Sequence, residues 1–355
     1  MAATASPQNI ADALARRVIG QAEAVREMAI ALAKKLQGLN VGNVLLIGSS
    51  GTGKTTLMRA VESFLEGHPE LAPQWPLIRV HASVLAEETA SRRPGAALLE
   101  RLLGRARERF AGDEAVERTL ERARHGVVFV DEIDKIRATV GGQPNPTGIR
   151  AQEALLTLIE NEAVPFRLPE WAGGGEITVD ASDLLFVCAG AFEGLYDAVY
   201  DRVTIGRDRG SLQAVSVLGE GSVHHEVRFG LREWMRWEDL FDYGLTPQFL
   251  SRFESIVLLH DLAEDDLVRI FLETPDSGLA QAREYFAAQG VQLAISPAAI
   301  RRLAAEAARQ PRLGARAMRE VFRRVVRDYE FDPAAAATDG ALLLDRAEID
   351  AALAT

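Results

Sequence analysis

The sequence contains a single cysteine, Cys188, among 355 residues. One thiol can form neither an intramolecular disulfide nor a cysteine cluster for zinc. Aromatic residues are also few, at 6%, and no apolar run approaches the roughly 20 residues that a membrane-spanning helix requires. Residues 1–17 lack the basic start and apolar stretch of a secretion signal. We therefore expect a cytoplasmic protein that makes no contact with a membrane.

Positive charge is scarce relative to negative charge. Lys and Arg total 40 against 51 Asp and Glu, which gives a formal net charge of −11. Binding to nucleic acids draws its affinity from clustered basic residues, so this composition argues against nucleic acid as the main partner. The short basic run at residues 323–327 is typical of the solvated face of a helix. A hydrophobic content of 48% is enough for a substantial core.

Five short apolar segments alternate with helical patterns in the first 260 residues. Near-continuous apolar strands separated by helices indicate a parallel sheet that is covered on both faces. The segments are residues 43–48, 76–82, 126–131, 183–190 and 254–259. The predicted fold class is therefore α/β, with a central parallel sheet.

The pattern after residue 259 is mainly helical, with two short strand-like runs, VQLAIS and ALLLD. We predict a flexible tail over residues 1–9, a large domain over 10–259 and a smaller, mainly helical domain over 260–355. Two stretches of the large domain have a loop-like composition. Residues 167–182 are predicted to form a hairpin, and residues 203–227 show no clear period. Long irregular insertions of this kind are usually functional or mobile.

The segment GSSGTGKT, residues 48–55, follows the first predicted strand and precedes a helical pattern. It matches the phosphate-binding pattern G-x-x-x-x-G-K-[ST] in its strand-to-helix context. Glycines let several backbone N–H groups converge on one anion, and the helix N-terminus adds its dipole. The predicted ATP-binding residues of this loop are Gly48, Ser49, Ser50, Gly51, Thr52, Gly53, Lys54, Thr55 and Thr56. Lys54 would neutralise the β and γ phosphates, and the hydroxyl of Thr55 would bind Mg²⁺.

A group of carboxylates ends the third predicted strand, in HGVVFVDEIDKI at residues 125–136. Ligands of an open parallel sheet lie at the carboxyl ends of its strands, which is where the phosphate-binding loop also begins. We predict that Asp131 holds Mg²⁺ and that Glu132 activates the attacking water as a general base. Asp134 and Lys135 are interpreted as supporting charges, and a solvated ion pair and a catalytic role both stay open for them.

Six motifs in a fixed order give the chain a wider resemblance, to the AAA+ ATPases of the ClpX and HslU type. The motifs are VIGQ (18–21), VDEIDKI (130–136), AQEALLTLIE (151–160), FVCAGAFEGL (186–195), EDLFDYGLTPQFLSRFE (238–254) and GARAMR (314–319). The resemblance implies an AAA+ large domain followed by a lid domain, with Val18 and Ile19 flanking the adenine. It also implies that Arg252 reaches the nucleotide of a neighbouring subunit and that Arg316 senses the γ-phosphate. An arginine that acts in trans implies a ring, and the family's rings are homo-hexamers.

Three family features are altered in this chain. Where the family has an aromatic-Val-Gly pore loop, residues 89–92 are Thr-Ala-Ser-Arg, and the methyl of Ala90 offers little of the apolar contact that an aromatic ring provides. Where the family has an Ile-Gly-Phe tip that docks a peptidase, the chain has Ile205, Gly206 and Arg207. An arginine cannot enter an apolar socket without desolvating its charge. The basic loop at the pore entrance is replaced by RLPEWAGGGE, which has one arginine and two glutamates.

We therefore expect a ring-forming ATPase that uses ATP and Mg²⁺ to remodel or unfold a protein client without degrading it. Two alternatives stay open: the ATPase subunit of an ATP-dependent protease, and a nucleotide-dependent assembly switch that threads no substrate. A peptidase partner is doubtful because the apolar docking tip is absent. A DNA motor is disfavoured by the acidic composition, and no motif identifies the client.

Overall fold

The computed structural model describes residues 6–39, 41–68, 75–91, 95–108, 116–160, 163–205, 214–219, 222–227 and 231–354. The chain divides into two compact units. The sheet unit comprises Lys34–Ile47 and His68–Leu258, and the terminal unit comprises Met1–Ala33, Gly48–Gly67 and Leu259–Thr355. Among the described residues, no helix is both long enough and apolar enough to cross a membrane.

Helices and strands alternate along most of the described chain. The α-helices are α1 (Pro7–Ala15), α2 (Ala22–Leu36), α3 (Lys54–Gly67), α4 (Ala82–Ser91), α5 (Ala96–Glu108), α6 (Val116–Arg124), α7 (Pro146–Glu160), α8 (Leu195–Ile205), α9 (Leu231–Trp234), α10 (Trp237–Tyr243), α11 (Pro247–Leu250), α12 (Glu264–Glu273), α13 (Gly278–Ala288), α14 (Pro297–Ala308), α15 (Ala315–Phe331), α16 (Pro333–Ala336) and α17 (Arg346–Ala354). The strands are β1 (Asn43–Ile47), β2 (Leu77–His81), β3 (Val127–Asp131), β4 (Thr139–Val140), β5 (Gln143–Pro144), β6 (Ala163–Arg167), β7 (Glu176–Asp180), β8 (Leu185–Gly190), β9 (Ala214–Gly219), β10 (Ser222–Val227), β11 (Phe253–Leu258), β12 (Gln292–Ile295) and β13 (Ala341–Leu344).

A five-stranded parallel sheet forms the centre of the sheet unit, in the order β11-β1-β8-β3-β2. All residues of β3 and β8 are buried. Such continuous burial is what a parallel sheet requires when both of its faces are covered. The five strands are those predicted from the apolar segments, and the predicted α/β class with a central parallel sheet is confirmed.

Two antiparallel pairs of strands lie in the stretches that were predicted to be loop-like. β6 pairs with β7 from Ala163 opposite Asp180 to Arg167 opposite Glu176, so the hairpin exists but begins before the predicted residue 167. The loop-like interpretation of residues 203–227 is wrong for the part of this stretch that the structure describes, because α8 continues to Ile205 and β9 pairs with β10. Pairing in such ribbons satisfies backbone N–H and C=O groups. Their strands therefore do not need the apolar runs that marked the central sheet.

The terminal unit has a hydrophobic core of its own. It includes the buried side chains of Phe286, Leu303 and Val321, from α13, α14 and α15. The two short strands predicted after residue 259 are present, as the parallel pair β12 and β13. Serine side chains cap α13 and α14, because Ser277 and Ser296 accept hydrogen bonds from backbone N–H groups of the first turn.

The compact units group the chain differently from the predicted domains. One division between the units falls between Leu258 and Leu259, and residues 48–67 and the N-terminal helices belong to the terminal unit. The domains over residues 10–259 and 260–355 stay a prediction. α1 begins at Pro7, inside the predicted tail of residues 1–9. Its start is explained by the Ser6 side chain, which accepts from the N–H of Asn9, and by proline at the first helical position.

A buried lysine lies in the sheet unit. Lys35 is only 6% exposed, and its ammonium donates to the backbone carbonyl of Asp183 and lies 4.8 Å from the centre of the Trp75 ring. Burial lowers the pKa of Lys35 from its usual 10.5 to about 8, although the negative charge of Asp183 opposes the shift.

This lowered pKa predicts that the free energy of unfolding rises with pH above about 8. Between the folded and unfolded pKa values Lys35 binds fewer protons in the folded state, so removal of protons from the solution favours folding. The contribution of Lys35 is about 3 kcal/mol over the full interval to 10.5. Urea unfolding at a series of pH values would measure it. The Lys35→Met variant should lack this rise, and a variant that retained all of it would contradict the assignment.

Candidate functional site

The phosphate-binding pattern lies in the predicted strand-to-helix context. β1 ends at Ile47 and α3 begins at Lys54. Gly51 and Gly53 have φ angles of 77° and 110°, a left-handed conformation that L side chains rarely adopt. A Cβ on Gly51 would lie 2.1 Å from the carbonyl oxygen of Leu313. Glycine is thus required at Gly51 both by the backbone conformation and by its neighbour.

The ammonium group of Lys54 folds back onto the phosphate-binding loop. The Lys54 ammonium donates to the carbonyls of Gly48 and Ser49, at 2.8 Å from the Ser49 oxygen. The Thr52 hydroxyl donates to the Ser49 carbonyl at 2.8 Å. A lysine at the start of a helix, above a turn rich in glycine, is the arrangement that suits a phosphate.

A cavity of about 300 Å³ lies within the terminal unit. This volume suits a small organic ligand. The predicted residues that line it are Val18, Ile19, Gly51, Thr52, Gly53 and Thr56. Val18 and Ile19 are about 5% exposed and give the cavity an apolar wall. The predicted residues Gly48, Ser49, Ser50, Lys54 and Thr55 belong to the same loop or to the first turn of α3 but are not among the residues that line this cavity.

Part of the cavity wall was not predicted from the sequence. It comes from Leu262, from α12, from residues 274–278 and from the first turns of α15. Arg316, the predicted sensor, is exposed in the first turn of α15 and is not among the lining residues, whereas Arg319 is. Arg319 also donates to the backbone carbonyl of Asp276 at 3.1 Å. The helical spacing of Ala315, Met318 and Arg319 was the available signal, since residues three or four apart share one face.

Gln21, the last residue of the VIGQ motif, joins three parts of the terminal unit. It is 2% exposed. Its side-chain amide donates to the carbonyls of Thr52 and His260 at 2.9 and 2.8 Å and accepts from the N–H of His260 at 3.0 Å. Sequence reasoning assigned roles to Val18 and Ile19 alone, because the partners of Gln21 are remote in the chain.

We expect Gln21→Leu to lower the free energy of unfolding by about 2–4 kcal/mol, because it removes one buried hydrogen bond to Thr52 and two partly buried ones to His260. Chemical denaturation would measure the loss. Gln289→Leu is the matched control, since Gln289 is exposed at the end of α13 in the same unit. Equal effects of the two substitutions would contradict the role of Gln21.

The two predicted catalytic acids lie at the carboxyl end of β3 in the sheet unit. Asp131 is the last residue of the strand, and its side chain is 10% exposed. Its Oδ1 accepts the N–H of Glu132 at 2.9 Å, and its Oδ2 accepts from the Arg79 guanidinium at 2.5 Å. The Glu132 side chain is 51% exposed, and its Oε2 lies 3.5 Å from Nδ1 of His81. One carboxylate is thus buried beside a cation, and the other is open to water.

The backbone at Glu132 is strained. Its φ and ψ are 58° and 38°, in the left-handed region. A residue other than glycine there costs about 1–3 kcal/mol, and such strain is concentrated at functional sites. This turn directs the chain away from β3 directly after Asp131.

Burial excludes the solvated ion pair, one of the two alternatives for Asp134 and Lys135, at Asp134. Asp134 is 2% exposed, and its Oδ1 accepts the N–H of Ala191 at 3.1 Å. The exposed Lys135 ammonium is 3.6 Å from Oδ2. A Cβ on Gly190 would lie 2.6 Å from Oδ1 of Asp134, which explains the glycine at the end of β8. Asp134 therefore joins the ends of β3 and β8.

Arg252 lies on the surface of the sheet unit, in the turn between α11 and β11. Its side chain is 47% exposed, and its guanidinium pairs with Glu160, the last residue of α7. An exposed ion pair of this kind contributes at most about 1 kcal/mol, so Arg252 can exchange its partner at little cost.

The pore-loop segment and the docking-tip segment, in which the sequence departs from the ClpX and HslU type, are only partly described by the structure. Residues 89–91, including Ala90, form the last turn of α4, whose first residue directly follows β2. Arg92 lies outside the described residues. Ile205 ends α8, and Gly206 and Arg207 also lie outside them. In the β6–β7 hairpin, the ring of Trp171 lies 4.2 Å from the guanidinium carbon of Arg107, so this loop presents an aromatic residue.

Comparison with known proteins places these features in one family. A model of the AAA domain (Cdc48 subfamily) matches residues 39–256, more than half of the chain. The ATP-dependent Clp protease ATP-binding subunit ClpX 3 of Methylococcus capsulatus is 32% identical over 298 residues, which cover 82% of this chain and 63% of that protein. The subunit ClpX of Bacteroides fragilis is 28% identical over 349 residues, 92% of this chain and 76% of that protein. The chain thus spans about 63% of the length of the first of these relatives.

Proposed function

Because the chain belongs to the AAA domain family, Cdc48 subfamily, we propose that it hydrolyses ATP in a ring of identical subunits and thereby remodels a protein client. The predicted relationship to the ClpX-type AAA+ ATPases is confirmed at the level of the family. The observation that carries the proposal is the cavity whose wall joins Gly51–Gly53 of the phosphate-binding loop to the apolar pair Val18 and Ile19.

The residues of this cavity fit a purine nucleotide. Val18 and Ile19 would contact the faces of the base, and the backbone N–H groups of residues 48–55 and the Lys54 ammonium would bind the phosphates. Thr55 and Asp131 carry the hard oxygen ligands that Mg²⁺ prefers. When bound, Mg²⁺ would neutralise phosphate charge and polarise the γ-phosphate.

Glu132 is the residue to accept a proton from the attacking water. Its carboxylate is half exposed and, among the residues that the structure describes, pairs with His81, whereas that of Asp131 pairs with a guanidinium. Arg252 would stabilise charge on the γ-phosphate of the adjacent subunit, and we propose six subunits by resemblance to the family. Arg316 remains the proposed sensor of the γ-phosphate, with Arg319 as a further cation of the cavity.

Client capture tests the remodelling function. A ring that binds ATP without hydrolysing it should retain its client, so Glu132→Gln protein with ATP should enrich the client from a lysate. The same variant carrying Lys54→Ala, which removes the phosphate-binding cation, should lose the enrichment. Light scattering with and without ATP would measure assembly in the same samples. Capture that is independent of nucleotide, or a wild-type protein that hydrolyses no ATP, would overturn the proposal.

A second candidate function is that of an ATPase subunit of a protease. It is favoured by the relatives, whose names describe ATP-binding subunits of the Clp protease. The sequence Ile205-Gly206-Arg207 argues against it, because a charged tip cannot fill an apolar socket. Association with a ClpP-type peptidase, and degradation that depends on both proteins, would establish this function.

A third candidate is an assembly switch that threads no polypeptide. It is favoured by Ala90, which has no ring with which to hold a chain. Unfolding of a tagged fluorescent reporter in the presence of ATP would exclude it.

A further inference from the structure

We infer that Arg79 is a positioning residue that competes with Mg²⁺ for Asp131, so that the strand β2 sets the Mg²⁺ requirement of the nucleotide site. The inference rests on the proposed ATPase function, because it concerns the same carboxylate. Nothing in the phosphate-binding pattern or the DE motif requires an arginine at this position.

Two polar side chains of β2 face the two acids. Alternate residues of a strand lie on one face, and Arg79 and His81 are the exposed residues of β2, next to the buried Ile78 and Val80. β2 is the edge strand beside β3, with Arg79 opposite Phe129 and His81 opposite Asp131. Arg79 therefore reaches diagonally across β3 to Asp131, and His81 reaches Glu132.

Both oxygens of Asp131 are already engaged. The backbone N–H of Glu132 holds Oδ1, and the Arg79 guanidinium holds Oδ2 in a short, charge-assisted hydrogen bond. The carboxylate is 10% exposed, so water screens this pair less than it screens an ion pair on the open surface. A divalent cation at Asp131 would lie close to the positive charge of Arg79 and would share the same carboxylate with it, so the inferred competition is electrostatic.

The Arg79 side chain is also partly open to solvent. It is 37% exposed, so the guanidinium can return to water when Mg²⁺ takes the carboxylate. In the absence of nucleotide, Arg79 keeps Asp131 neutralised at the end of β3. The consequence is a nucleotide site that demands more Mg²⁺ than it would with a neutral residue at Arg79.

Binding of a fluorescent, non-hydrolysable ATP analogue to the full chain tests this inference without relying on turnover. The affinity is measured over a range of Mg²⁺ concentrations for wild type and variants. In Arg79→Gln the Mg²⁺ concentration at half-maximal effect should fall about fivefold, while the affinity without Mg²⁺ stays the same. Arg79→Met repeats the neutralisation if one of the two variants fails to fold. Arg79→Lys keeps the charge and should keep most of the wild-type requirement.

Two controls separate this effect from a general loss of charge. Arg124→Gln removes an arginine that pairs with Asp180, away from the two acids. His81→Gln changes the neighbour of Glu132 but leaves Asp131 untouched. Both should keep the wild-type Mg²⁺ requirement. An Arg79→Gln protein with an unchanged or higher requirement would overturn the inference alone, whereas a wild-type protein that binds no analogue would overturn the proposed function.

Discussion

Replacing Glu132 with glutamine should lower the rate of ATP hydrolysis by at least about 100-fold, the contribution expected of a positioned general base. Nucleotide affinity should change little, because the cavity lined by Val18, Ile19 and the phosphate-binding loop is intact. Glutamine preserves the shape of the side chain but cannot accept the proton. Phosphate release and binding of labelled nucleotide, measured on the same preparation, would give both quantities.

The control for Glu132→Gln is Glu121→Gln. Glu121 is an exposed acid of α6 that pairs with Arg124 and His125, outside the proposed catalytic group. Its substitution should leave hydrolysis near the wild-type rate. Undiminished hydrolysis by Glu132→Gln would show that another group activates the water and would remove the assignment of Glu132.

Replacing Arg252 with alanine should lower hydrolysis by about 1,000-fold if its guanidinium stabilises the γ-phosphate of a neighbouring subunit. The sharper test mixes Arg252→Ala subunits with Glu132→Gln subunits, each inactive alone. A Glu132→Gln subunit supplies the arginine that its Arg252→Ala neighbour needs. In an equal, freely exchanging mixture about a quarter of the sites are complete, because half of the subunits retain Glu132 and half of the neighbours retain Arg252.

Glu160→Gln is the control for Arg252→Ala. It removes the carboxylate that pairs with Arg252 within the subunit but leaves the guanidinium in place. Hydrolysis should therefore be retained. Mixed rings that stay inactive despite proven subunit exchange would rule out action of Arg252 in trans.

The central sheet could be predicted because each of its strands carries a local signal. The apolar residues of β1, β3 and β8 are buried, and Gly51 and Gly53 have the left-handed backbone angles that glycine permits. Asp131 lies at the end of β3 for the same reason, since strand direction decides where the following residues fall. These features depend on a few neighbouring residues.

The remaining parts of the site depend on contacts between distant residues. Gln21 bonds to His260, 239 positions away, and Arg79 bonds to Asp131, 52 positions away. Neither contact can be predicted from the local residue pattern of one sequence, because the two partners are far apart in the chain. A solvated position was one of the alternatives for Asp134, and only the packing of β8 beside β3 shows that this residue is buried. The strands β9 and β10 pair with each other as an antiparallel ribbon, but their sequence showed no clear period from which the pairing could be predicted.

The direct passage from β2 into α4 has a structural consequence. His81 ends the strand and Ala82 begins a ten-residue helix of about 15 Å, with no loop between them. The first residue of the helix therefore directly follows His81 of β2, and Ala90 lies in its last turn. The segment that contacts Asp131 and Glu132 thus continues without a break into α4, and the last turn of the helix is joined to these two acids by regular secondary structure alone.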